Sequence, residues 1–274
     1  MSQGGGLPLA PAWIEANWPT PPGVRALTTT RIGGVSRGAL ACWNLATHVG
    51  EASDLCAQNR QRLREALALP VEPYWLNQVH GIAVARPPCV DTVNQAVTHN
   101  EPRNLNPSQA EPPTADAAVT SHGGVVLAVL TADCLPVVFS ANNGRVLGVA
   151  HAGWRGLVGG VLQATLQSMA DAGAKPGDIQ VWLGPCIGPT AFEVGDEVRE
   201  AFVTRDSANG RCFTANARGR WQADLVSLAR LELTRLGVTA VYSANCCTYT
   251  DTERWYSYRR DPAAGRMATL VWRR

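Results

Sequence analysis

A chain of 274 residues with 46% hydrophobic and 17% charged residues can bury a substantial core, as one large or two small domains. The formal net charge is +2 and no basic run exceeds a dipeptide, which argues against a nucleic-acid groove or an anionic membrane surface and favours small ligands. Eight cysteines without a CxxC or finger-like spacing argue against a disulfide framework and a structural zinc finger, so most read as small buried hydrophobes.

The first residues, MSQGGGLPLAPAWIE, carry neither a cationic n-region nor a continuous apolar core. The longest apolar stretch, 124–139, is interrupted by Asp133 and too short to span a bilayer, so the protein is expected to be cytoplasmic. Residues 1–23, rich in Gly and Pro, are expected to form an irregular arm anchored by Trp13 and Trp18, ahead of a single domain at 24–274. A β-rich run to Thr30 leads to Arg31 and the Gly33-Gly34 turn, which reads either as a phosphate cradle or as a hairpin tip with a solvated Arg. Asn44 and His48 follow without a clear period. Ser53-Asp54 is the expected N-cap of a helix carrying Leu55, Leu63, Ala66 and Leu67 and ended by Pro70.

In PYWLNQVHGIAVA two apolar pieces are interrupted by Asn77, Gln78 and His80, which need partners as a core network or as site residues. Residues 87–113 shift to Pro, Asn, Gln and Thr and read as a surface loop with a solvated His99. ADAAVT resumes a strand, and His122 is a spare imidazole.

The chain is organised around LAVLTADCLPVVFSANNGRVLGVAHAGWRG, three apolar strands holding Asp133, Cys134 and His151. A four-residue loop at 141–144 sets Cys134 directly opposite His151, at roughly 5 Å; a two-residue Asn143-Gly144 turn makes Cys134 face Gly153, with His151 on the same face at roughly 7–8 Å. Residues 157–172 read as one helix with a Leu162, Leu166, Met169 stripe and Gly173 as its C-cap. Its positive end would lower the pKa of a nearby thiol. A strand from Ile179 to Leu183 runs into the rigid turn at Cys186, and helices are expected near 196–203 and 223–236, then a strand at 238–244. Tyr256, Tyr258, Arg259 and Arg260, before a closing apolar strand, can stack a base and hold a phosphate or can form a charged edge. Without strict βαβ alternation or a P-loop, the fold class is α+β with mixed sheets.

His80, Cys134 and His151, each at an abrupt strand end, supply N and S donors for a catalytic zinc with one open position. Asp133 would orient a ligand or carry a proton. A metal-free Cys134 nucleophile with His151 as base is the rival, and copper a third possibility. Five histidines do not support a multinuclear copper oxidase.

TTRIGGVSRG, ATHVGE, NQVHG, TADCLPV, HAGWRG, GPCIGP, FEVGDEV, CCTYT, SYRRD and GRMATLVW occur in this order, and together they resemble the YfiH-like family, once labelled polyphenol oxidase or laccase-domain proteins. The resemblance implies mixed sheets packed as a sandwich surrounded by helices. It implies zinc on His80, Cys134 and His151, phosphorolysis of adenosine, inosine, guanosine and methylthioadenosine, and deamination of adenosine. It raises Arg31 and Arg259 or Arg260 as phosphate contacts. With these, Asn44, Gln78, Arg155, Cys247 and Tyr258 complete the candidate substrate-binding set. Some relatives are described instead as amidases editing a peptidoglycan precursor through the same Cys and His, and a non-catalytic metal or nucleoside binder is the remaining alternative.

Overall fold

The closing strand of the chain sits inside a sheet, not at its edge. The computed structural model describes residues 12–88 and 111–274. Its strands are β1 (Trp13–Glu15), β2 (Val24–Thr29), β3 (Val84–Ala85), β4 (Ala117–Thr120), β5 (Val126–Thr131), β6 (Leu135–Ala141), β7 (Val146–Ala152), β8 (Gln180–Leu183), β9 (Glu193–Val194), β10 (Phe213–Ala215), β11 (Trp221–Ala223), β12 (Ala240–Ser243) and β13 (Met267–Arg273). The α-helices are α1 (Ser53–Leu67), α2 (Trp154–Gly159), α3 (Val161–Asp171), α4 (Asp196–Arg205) and α5 (Leu225–Arg235).

An antiparallel sheet in the order β1-β2-β13-β5 faces a mixed sheet in the order β12-β8-β6-β7-β4-β3, and a small β10-β11-β9 sheet lies apart. Strand periodicity builds the layers. On β5, Leu127 and Val129 point to the core between the two sheets, with Val138, Val149, Trp182 and Val271, while Val126, Ala128 and Leu130 point the other way, to Trp43, Leu63 and Leu67. On β6, Val137 and Phe139 face Leu162, Met169, Phe202 and Leu228 from the helices. The result is the expected α+β sandwich of mixed sheets with helices on both outer faces.

Several local expectations change. Residues 1–11 of the expected arm lie outside the described residues, and the rest of it is tied down by pairing, since Trp13–Glu15 forms an edge strand on β2 and Trp18 is buried between the sheets. The N-cap of α1 is Ala52 without a side-chain cap, and Asp54 lies in the first turn. The single helix expected at 157–172 is two, because Gly160 adopts φ 102 and breaks the run between α2 and α3. Only isolated bridges, Tyr74 to Leu127 and Asn77 to Thr114, and the two-residue β3 form in 74–85. The loop expected at 87–113, with His99, falls mostly outside the described residues.

The hairpin register follows the second alternative, with Pro136 paired to His151, although its turn is the wider Asn142 to Arg145 connection. The direct Cys134 to His151 opposition is therefore corrected. Asn142, Asn143 and Gly144 all take positive φ, which closes this turn without splaying the strands.

Candidate active site

Two segments far apart in sequence, 79–81 and the end of β7, converge on one buried carboxylate that the sequence reading did not single out. Asp116, just ahead of β4, accepts hydrogen bonds from the backbone N–H groups of Val79 (3.1 Å) and Gly81 (2.7 Å) at Oδ2 and of His80 (2.9 Å) at Oδ1. The same Oδ1 accepts from His151 Nδ1 at 2.8 Å, and the Asp116 carbonyl accepts the His151 N–H at 2.7 Å. Its side chain has no solvent exposure. Burial alone would push the Asp116 carboxyl up, but the hydrogen bonds from His151, Gly81 and Val79 outweigh it and hold it below its ordinary value. An ionised carboxylate only accepts, so Nδ1 of His151 carries the proton and Nε2 is the nitrogen left for a ligand.

The same wrapping positions His80. Closing three successive N–H groups on one carboxylate turns the chain, and His80 takes φ 60 at the tight point. Gln78 clamps this loop onto the end of β5, giving Nε2 to the Leu130 carbonyl (2.8 Å) and accepting the Leu130 N–H (2.7 Å). Its amide is thus committed to the backbone, which makes it a positioning group in place of a substrate contact.

Cys134 ends the tight turn between β5 and β6, and its Sγ lies 3.8 Å from His80 Nε2. The donor atoms of His80, Cys134 and His151 all lie within 4.8 Å of one another, with the two imidazole centroids 4.8 Å apart. A thiolate and an imidazole bound to one zinc are roughly 3.5–3.8 Å apart, so the Cys134 to His80 spacing fits such an ion, and the N,N,S set suits zinc. Burial raises the Cys134 thiol, but the charge of His151 and hydrogen bonds from His151 and His80 outweigh it and bring it down. Burial lowers the His151 imidazole, but the charge of Cys134 and the Asp116 bond outweigh it and bring it up. The same residues therefore also make a thiolate–imidazolium pair.

Gly153 is part of this geometry, since a Cβ there would lie 2.9 Å from Cys134 Sγ and 3.0 Å from His80 Cδ2. Gly153→Ala is expected to fold while holding metal at least ten-fold more weakly; unchanged metal stoichiometry and affinity by atomic absorption and competition titration would refute this reading.

Asp133, expected as orienter or proton carrier, sits differently. At φ 86 its carboxylate turns toward the C-terminal segments, taking Thr248 Oγ1 (2.6 Å) on Oδ1, and Ser257 Oγ (2.9 Å) and the Arg259 N–H (2.7 Å) on Oδ2. The carboxylate that orients His151 is Asp116, because only the β4 start lies beneath the β7 imidazole.

The candidate substrate contacts divide in the same way. Asn44 is fully buried, bonded to the backbone of Ala46 and Arg266 and to Glu51. Arg31 gives its guanidinium to the carbonyls of Ala41 and Thr252 and stacks on Tyr256 at 4.9 Å. In the Gly33-Gly34 turn a Cβ on Gly34 would collide with the Cys42 carbonyl and Trp43 Cα, so close backbone packing requires glycine there. Arg259 donates to the Glu193 carbonyl and Arg260 to those of Thr248, Tyr249 and Trp255. The Cys247 thiol accepts the Gly188 N–H at 3.2 Å, and its backbone pairs in an isolated parallel β-bridge with that of Cys186, a free thiol that burial pushes up. Arg155 is exposed and stacked on Trp154 at 4.5 Å. Tyr258 remains open, at 54% exposure.

That openness is shared. The exposed large hydrophobics among the described residues are Val79, Ile82, Tyr249 and Tyr258. Val79 and Ile82 bracket the loop closed on Asp116, and Tyr249 and Tyr258 adjoin the groups closed on Asp133. Val79 and Ile82 flank a donor, His80, and apolar and aromatic side chains of this kind are the surface a flat organic ligand would use.

Comparison with known proteins agrees with this layout. The sequence model of the family described as multi-copper polyphenol oxidoreductase laccase matches residues 25–274. A purine nucleoside phosphorylase of Xylella fastidiosa is 46% identical over 269 residues, covering 96% of this chain and 97% of that protein. The purine nucleoside phosphorylase YfiH of Escherichia coli is 42% identical over 259 residues, covering 94% and 98%. A crystal structure of a Neisseria meningitidis protein superposes with a TM-score of 0.84 at 41% identity, covering 96% of this chain and 99% of that one. The likenesses run along almost the whole sequence, and the chain belongs to the YfiH-like family of laccase-domain proteins.

Proposed function

We propose that this protein is a zinc-dependent purine nucleoside phosphorylase acting on adenosine, inosine, guanosine and methylthioadenosine, which also deaminates adenosine. The observation that carries the reading is the His80, Cys134, His151 donor set, closed to within 4.8 Å and fixed by Asp116, in a chain 42–46% identical to proteins named purine nucleoside phosphorylase. A multicopper oxidase is a poorer fit, since the whole chain has five histidines.

His80, Cys134 and His151 would hold the ion, which supplies Lewis acidity when bound. The chain's own residues do the rest. Asp116 keeps the His151 proton on Nδ1 and the His80 loop in place. Val79, Ile82 and Tyr258 offer apolar and aromatic surface for the purine. In phosphorolysis a phosphate oxygen bonds to C1′ of the ribose, the bond from C1′ to N9 breaks with its electron pair going to the purine, and the phosphate hydroxyl proton replaces the ribose on N9. In deamination water adds at C6 and ammonia leaves. No helix among the described residues is long and apolar enough to cross a membrane, and the described cysteines are free thiols, which suits a cytoplasmic site of action.

The test is to incubate metal-quantified protein with adenosine and phosphate and measure adenine, ribose 1-phosphate and inosine. One equivalent of zinc, lost in His80→Ala, and turnover reduced at least 100-fold in Cys134→Ala are expected. Chelation should abolish turnover and added zinc restore it; full activity after complete metal removal would instead establish the metal-free thiolate–imidazolium pair. Absence of all three products, with release of an amino acid from a peptidoglycan precursor, would transfer the site to the amidase.

A further inference from the structure

A cation beside the cluster is used by none of the roles above. β13 begins with Met267 opposite Thr131, the last residue of β5, so Arg266 falls one step further along the same ladder, next to Ala132 at the start of the turn that carries Cys134. Its backbone is fixed on both sides, the N–H donating to Asn44 Oδ1 (3.0 Å) and the carbonyl accepting from the Leu45 N–H (3.3 Å). Among the described residues the guanidinium bonds through Nη1 only, to the carbonyls of Ala264 (2.5 Å) and Gly265 (3.2 Å). Its Cζ lies 5.6 Å from the centroid of the open Tyr258 ring. Partial burial works against the Arg266 charge, and Cys134 is the first of the groups that offset it, which places the guanidinium within electrostatic reach of the cluster. Burial, and after it the charges of Arg266 and Arg60, bring the His48 imidazole below its ordinary value.

Arg31 spends all three guanidinium nitrogens and Arg260 two on backbone carbonyls, and Arg259, which spends Nη1 on the Glu193 carbonyl, lies over the Phe192 ring, so it is the place of Arg266 beside the Cys134 turn that sets it apart. Arg266 keeps Nε and Nη2, the two-donor edge that matches two oxygens of a tetrahedral oxyanion. A partly desolvated cation binds such an anion more strongly than a solvated one, and Tyr258 screens it from bulk water.

We propose that Arg266, covered by Tyr258, is the oxyanion subsite beside Cys134 and takes the phosphate that attacks C1′. This rests on the phosphorylase reading above. The subsite itself is tested without catalysis, by isothermal titration of the as-purified protein with inorganic phosphate. Wild type should bind phosphate; Arg266→Gln should weaken it at least ten-fold, and Arg266→Lys, which keeps a charge without the fork, by less. In steady state Arg266→Gln should raise the KM for phosphate at least ten-fold while the KM for nucleoside and the zinc content move less than three-fold. Equal phosphate affinity in wild type and Arg266→Gln, or a loss spread equally over both substrates, would overturn the assignment. Phosphate binding lost in Arg266→Gln, from a wild type with no phosphorolysis, would keep the subsite and defeat the phosphorylase reading instead. A thermal midpoint for each variant separates misfolding from lost binding, and Tyr258→Leu, an exposed position, should also weaken phosphate.

Discussion

Asp116→Asn is expected to unload the metal and Asp116→Ala to threaten the fold. Removing the carboxylate leaves three backbone N–H groups and one imidazole N–H without an acceptor in a site with no solvent exposure. Each stranded donor costs on the order of 1 kcal/mol or more, so Asp116→Ala should lose about 4 kcal/mol, a large share of a typical domain's stability, and lower the thermal midpoint by about 10 °C. The asparagine variant separates stability from chemistry. Whichever way its amide is turned, the NH2 replaces an oxygen that accepted two donors. If it faces Val79 and Gly81, donors clash with donors and the His80 loop opens. If it faces His80 and His151, the best remaining pairing gives a proton to His151 Nδ1 and moves the imidazole proton to Nε2, the nitrogen needed for a ligand. Zinc content and the chemical shifts of the His151 ring nitrogens would check this. A stable Asp116→Asn protein with a full equivalent of zinc and its proton still on Nδ1 would show that the carboxylate is not the orienting group.

The donor residues were legible because each interrupts an apolar run where water-loving groups are costly, and because their motifs are specific. The mixed sheets were legible for a related reason, in that β5, β6 and β13 are near-continuous apolar runs that must be covered on both faces, whereas the sandwich packing came with the family resemblance. Asp116 carried the same mark as Asp133, a lone acid entering an apolar strand, yet its role depends on N–H groups 35 to 37 residues away and on a strand pairing that periodicity alone does not reveal. The surroundings of Arg31 and Arg259 were hidden for a similar reason: the backbone carbonyls they bond, at Ala41, Thr252 and Glu193, are brought up by tertiary packing. Arg266 was hidden inside a motif read only as the start of a strand. The helix break at Gly159-Gly160, by contrast, was written locally and was overlooked because the apolar stripe continues across it.

Asp133→Asn should respond in the opposite way to Asp116→Asn, and the contrast decides what each acid does. Two of the three partners of Asp133 are hydroxyls, which can reverse the direction of a hydrogen bond, and the third is an N–H. An asparagine can set its oxygen where Oδ2 was, accepting from Ser257 and the Arg259 N–H, and donate from its NH2 to Thr248 Oγ1. It also tolerates the left-handed backbone at φ 86 better than most residues. Every polar atom remains paired, so stability should change by less than about 1 kcal/mol, whereas Asp133→Ala strands these partners and adds strain, for a loss of about 3 kcal/mol. Activity follows from the same geometry. A bracing Asp133 ties the Cys134 turn to Thr248 and to the 257–259 segment, and the asparagine preserves that tie, so kcat should stay within about three-fold of wild type. A proton carrier cannot be replaced by an amide, and a folded, zinc-loaded Asp133→Asn enzyme with kcat lower by 100-fold or more would restore to Asp133 the chemical role that its hydrogen bonds to Thr248, Ser257 and Arg259 argue against.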